Sequence, residues 1–96
     1  MFARIQTVHQ PAEKLNEMTK FAREQLPSSH KLQGFRGFYF LIDRENGKAL
    51  MISFWETWED VQQLEASNAS LRERTAAATG VESPPSELFE VALQAP

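Results

Sequence analysis

The 96-residue sequence has no cysteine, which excludes disulfide staples, thiolate metal sites and a cysteine nucleophile. Histidine is scarce too: His9 and His30 are too few to lead a histidine-built metal centre, and neither a metal nor a cofactor is expected. Four glycines and five prolines fall well short of a disordered or collagen-like chain. No long hydrophobic run occurs; the longest, Phe38 to Ile42, is far below the roughly 20 residues that span a bilayer, so no membrane partner is expected. Met1-Phe2-Ala3-Arg4 meets a charge too early for the apolar stretch of an export signal, which makes a cytoplasmic location the expectation. Nor is there a one-signed basic patch. Lys14, Lys20 and Arg23 alternate with Glu13, Glu17 and Glu24 as on a solvated helix face, so nucleic acid is not an expected partner.

What is present is an ordinary globular composition, 42% hydrophobic and 24% charged with a net charge of −3, suited to one domain over residues 1–96. Phe2 to Val8 alternates with period two and reads as a strand. Leu15, Met18, Phe21, Ala22 and Leu26 recur at helical spacing between Pro11 and Pro27, which predicts an amphipathic helix ending at Pro27. Phe35 to Asp43 and Lys48 to Glu56 form two strands around Asn46-Gly47, a strong hairpin signal. Thr57, followed by Trp58, Glu59 and Asp60, predicts a helix N-cap related to the capping box. Val61, Leu64 and Leu71 keep a helical face that Ser67-Asn68-Ala69-Ser70 interrupts with weak helix formers, and Gly80 closes the segment. Pro84-Pro85 forces a loop before a last strand, Leu88 to Leu93, with Phe89, Val91 and Leu93 on one face. The order β-α-β-β-α-β predicts an α+β, ferredoxin-like fold: a four-stranded antiparallel sheet with two helices on one side.

Two helices cover one face of such a sheet, and the other should turn polar if it meets water. The hairpin does not: one parity holds Phe38, Phe40 and Ile42 with Leu50, Ile52 and Phe54, and the other Tyr39 and Leu41 with Met51 and Trp55. A second copy related by a two-fold axis is the simplest cover, so a homodimer through the sheet face, a dimeric α/β barrel, is expected.

Gly34-Phe35-Arg36-Gly37, Ile52-Ser53-Phe54-Trp55-Glu56, the acidic start of the second helix, Ser67 within it and Glu90-Val91 together resemble the antibiotic biosynthesis monooxygenase-like domains of the dimeric α/β-barrel superfamily. The resemblance spans essentially the whole chain through short, mostly structural motifs. It implies either a cofactor-independent monooxygenase of a small aromatic or quinol-type compound, or a non-catalytic barrel that binds a small apolar metabolite or partner. Haem-degrading relatives carry an Asn, a Trp and a His at places that here correspond to Ala3, Leu64 and Arg74, so the resemblance does not extend to haem degradation.

Candidate site residues follow from chemistry and position. Trp55, at the end of a central strand, suits either a pocket wall or core packing. Tyr39, expected on the same face as Trp55, could hydrogen-bond a phenolic oxygen or stand as a ring with its hydroxyl at the rim. Arg4 and Arg36 offer charge for an anionic intermediate, or pair with acids such as Glu90 across the sheet. His9, just after the first strand, and Glu65 are the candidate proton acceptors; Glu65 and Asn68 lie one turn apart, with Asn68 a candidate substrate contact. His30 lies in a Ser-rich loop with no evident acid partner, and Met18 and Met51 read as core fillers.

Overall fold

A period-two pattern with β-branched Ile5, Thr7 and Val8 forms β1 (Phe2–His9), an interior strand of the sheet. A computed structural model describes residues 1–67, 77 and 85–96 of the protein. After β1 come α1 (Ala12–Ser29), β2 (Phe35–Asp43), β3 (Lys48–Trp55), α2 (Trp58–Ser67) and β4 (Ser86–Glu90). The sheet is antiparallel throughout in the order β2-β3-β1-β4, the ferredoxin-like arrangement. Gly80, Leu71, the Asn68-Ala69-Ser70 interruption and the Pro84 half of the expected loop lie outside the described residues.

Helix α1 runs two residues past the expected stop at Pro27. Proline in this last turn forfeits only its own N–H, and the Leu26 carbonyl still accepts from the His30 N–H at 3.1 Å, so the helix closes beyond it. Helix α2 starts as its sequence implies. The Asp60 N–H donates to Thr57 Oγ1 and the Thr57 N–H to Asp60 Oδ2, each at 3.2 Å, a reciprocal cap with Asp in the usual Glu place. At the last strand, pairing ends at Glu90, although the Val91 N–H still reaches the Met1 carbonyl at 2.9 Å; Leu93 lies beyond it, exposed.

The β2–β3 connection corrects the expected side-chain parity. Asp43 pairs with Lys48 across a four-residue loop, so Phe40 stands opposite Met51, Tyr39 opposite Ile52 and Leu41 opposite Leu50. The Asp43 carboxylate accepts from the Asn46 amide at 2.7 Å and its backbone N–H at 3.2 Å. These two bonds hold its pKa below the ordinary 3.8. Gly47, at φ 62°, turns the chain where the Gln10 N–H donates to its carbonyl. A bulge at Arg36 then lets Phe35 oppose Trp55 and Gly37 oppose Phe54.

The two faces are thereby fixed. Val8 and Ala49 lie on the helix-covered face and form the core with Leu15 and Met18 of α1; Phe40, Ile42 and Met51 pack against it. Trp55, Ser53, Arg4 and Gln6 share that face further along the sheet, toward α2. The opposite face carries Ile5, Tyr39, Leu41, Leu50, Ile52, Phe54 and Phe89, with Tyr39, Leu41 and Phe89 about half exposed. That face is as apolar as expected, although its membership differs.

Candidate functional site

Beneath α2 the helix-covered face departs from an apolar core. Four positions contribute: Arg4 is 7% exposed, Gln6 6%, Ser53 8% and Trp55 2%. Register explains the grouping, since Arg4 lies between Ser53 of β3 and Leu88 of β4, and Gln6 between Met51 and Ser86. A guanidinium at this depth requires a counter-charge, and α2 supplies it: Arg4 Nε donates to Glu65 Oε1 at 2.7 Å. Arg4 Nη1 donates to Gln6 Oε1 at 3.1 Å, and the Trp55 indole N–H to Ser53 Oγ at 2.9 Å. Among the described residues two buried polar atoms stand without a partner, Arg4 Nη2 and Ser86 Oγ.

Aromatic rings flank the polar group. The Phe35 ring meets Trp55 edge to face at 5.5 Å, a contact the Arg36 bulge makes possible, and Phe38 lies next to Ser53 across the ladder. Phe2 packs on Trp58 of α2 at 5.5 Å, closing the end of the sheet. The arrangement combines a fixed cation, hydroxyl and amide groups and an aromatic wall, which is the chemistry that holds a flat, oxygenated ring.

The structure places Arg4 and Trp55 on one face and brings Glu65 to Arg4. Tyr39 is a correction: it lies on the opposite face, edge to face with Phe54 at 6.0 Å, because the four-residue loop shifts the parity. His9 is another. It is exposed, opposite Lys48 at the hairpin end of the sheet, while Trp55 is at the other end. Neither arginine pairs with Glu90: Arg4 takes Glu65, and Arg36 takes Glu56 at 3.0 Å. His30 stacks edge-on against Phe35 and is exposed. Asn68 and Arg74 lie outside the described residues. Gln6, Ser53 and Ser86 were not singled out, because polar residues in an alternating strand read as solvent-facing; the signal for Gln6 was its sharing Arg4's parity with Phe2 and Val8.

A concavity lies across the sheet. Tyr39, Phe54, Val91 and Leu93 border an open groove of about 590 Å³ on the uncovered face, where the chain beyond β4 turns back. It holds none of the buried polar groups.

No known family profile matches the sequence. No curated protein matches it at a significant level. Solved structures do. The chain is similar to a monooxygenase from the gene ActVA-Orf6 of Streptomyces coelicolor, solved with nanaomycin D, at TM-score 0.79 and 14% identity over 99% of this chain and 91% of that one. It is similar to the haem degrader MhuD of Mycobacterium tuberculosis, solved with two haems, at TM-score 0.74 and 19% identity over the full length of both. A proposed antibiotic biosynthesis monooxygenase from Deinococcus radiodurans gives TM-score 0.74 and 12% identity, covering 100% and 97% of the chains. The structural neighbours are thus antibiotic biosynthesis monooxygenase-like proteins, and at these identities what is shared is the fold.

Haem does not fit the residues present. The sequence has two histidines and no cysteine, and neither His9 nor His30 reaches the buried group under α2. Among the described residues no cluster of acids and histidines could hold a metal ion, and no helix is long and apolar enough to cross a membrane.

Proposed function

We propose that the protein is a cofactor-independent monooxygenase-like enzyme that takes a small aromatic or quinol-type compound between its sheet and α2, as a homodimer joined through the uncovered sheet face. The observation that carries this reading is the buried guanidinium of Arg4, nine-tenths removed from water beside an aromatic wall on the side of the sheet where α2 packs. A phenol or quinol entering there loses its hydration and meets a positive charge that favours its anion. The anion itself supplies the electrons: one passes to dioxygen, the resulting radical and superoxide join at a ring carbon, and the peroxide loses water to leave a ketone oxygen. In balance, a phenolic substrate and one dioxygen give a quinone and one water. Glu65, within reach of Arg4, is the acid available to exchange the phenolic proton.

A second reading has its own support. Glu65 is held in the ion pair with Arg4 rather than standing as an open base, as a site that binds but does not turn over would hold it. The homodimer rests on the half-exposed Tyr39, Leu41 and Phe89 of a continuous apolar face.

The test is oxygen consumption across hydroquinones and polyketide phenols, with Trp55→Phe and Glu65→Gln alongside and Tyr39→Phe, on the other face, as control. Uptake reduced in the first two and kept in the third supports the enzyme. No uptake above the buffer rate, with the dimer intact, transfers the assignment to non-catalytic binding.

A further inference from the structure

We infer that Arg4 and Ser86 form a seat for a single anionic oxygen, which makes the ligand an ionised phenol or enol rather than a carboxylic acid; the inference rests on the pocket assigned above and specifies what it takes. Buried polar atoms are nearly always hydrogen-bonded, and an unsatisfied one costs roughly 1–3 kcal/mol, more for a charged group. Here the two without partners belong to one neighbourhood. Arg4 Nη2 and Ser86 Oγ come from adjacent strands and one face: Ser86 opposes Gln6, and Gln6 is the next residue after Arg4 on that face of β1. In an antiparallel pair such diagonal neighbours lie within reach of a shared small group.

The chemistry of the ligand follows from which nitrogens are taken. A carboxylate is gripped best by two parallel N–H groups of one guanidinium. Each fork of Arg4 is already engaged at one end, Nε on Glu65 and Nη1 on Gln6, so Nη2 alone remains wholly open. That charged nitrogen from β1 and one hydroxyl from β4 suit one oxygen atom that accepts from both. Ser53 and the Trp55 indole already satisfy each other, which leaves the aromatic side of the pocket for the ring and not for a second polar group. Gln6 is a positioning residue in this scheme, and the Glu65 ion pair adds to it, since together they fix the guanidinium so that Nη2 stays open.

The experiment is equilibrium binding under anaerobic conditions with 4-nitrophenol, 4-nitroanisole and 4-nitrobenzoate, followed by indole fluorescence and by the absorption of the nitrophenolate. The expected result is that the phenolate binds about tenfold more tightly than the ether, so that the bound ligand ionises about one pH unit below the free one. Ser86→Ala and Arg4→Lys are expected to reduce the ratio of phenolate to ether affinity several-fold. Should Arg4→Lys fail to fold, Ser86→Ala carries the comparison, since it removes one small hydroxyl. Equal affinity for phenolate and ether, a preference for the benzoate, an undiminished phenolate preference in Ser86→Ala, or no binding of any of the three overturns the inference. Phenolate selectivity without oxygen uptake upholds the seat and defeats only the oxygenase reading.

Discussion

Gly34 stands so close to Asp60 that a Cβ there would run into the carboxylate, and its φ of 79° is one that L side chains rarely adopt. The same carboxylate caps α2, and the Gly34 carbonyl accepts the Glu56 N–H at 2.8 Å, so one glycine joins the start of β2 to the start of α2. Gly34→Ala is expected to cost about 1–3 kcal/mol, read as a lowered urea midpoint with an unchanged slope. Arg4 presents a different problem. Glu65→Gln keeps an acceptor of the same shape but removes the counter-charge of a cation that is 7% exposed. The expected loss is about 1.5–3 kcal/mol, and the double variant Arg4→Met with Glu65→Leu should recover most of it while abolishing ligand binding. This residue pair was half legible in the sequence. Arg4 was visible as a charge in a strand, but its partner lies 61 residues away, and alternation alone assigns such a residue to water.

At the scale of elements, local chemistry was readable wherever a short-range bond decides the structure. The Thr57 cap is an example, and Thr57→Ala should remove about 1 kcal/mol by urea unfolding, with the loss confined to α2 in amide exchange. The strands of the hairpin were equally plain, yet their mutual register was not. Asn-Gly announces a turn without stating how many residues it contains, and that count decides whether Tyr39 or Phe40 looks toward the helices. Reading Tyr39 beside Trp55 was the consequence. Pro27 misled in the opposite direction, since a missing donor matters little where the helix has less than one turn still to run.

For the molecule as a whole, the governing fact is a sheet with two kinds of apolar surface. One face is divided between the α1 core, built on Leu15 and Met18, and the buried polar group under α2; the other is covered by neither α1 nor α2. A charge on the β2 edge of that uncovered face tests what covers it. Leu41→Glu is expected to convert the proposed dimer to a monomer by sedimentation, with the secondary structure retained, because Leu41 is 47% exposed and carries little of the fold. If sedimentation shows the unaltered protein to be monomeric at micromolar concentration, the two-fold arrangement is wrong.

The bulge in β2 carries one more implication. Every other residue of that strand belongs to one face or the other, and replacing it disturbs either the helices' side or the open side. Arg36 belongs to neither: it is the extra residue that lets Phe35 rejoin Trp55, and its side chain is left at the rim with Glu56, where an exposed pair adds little. Deleting it would leave a regular ladder with every other pairing intact. Position 36 is therefore spare in the architectural sense, a place at the rim of the open groove where length, charge or a chemical label can be altered without changing which residues pair.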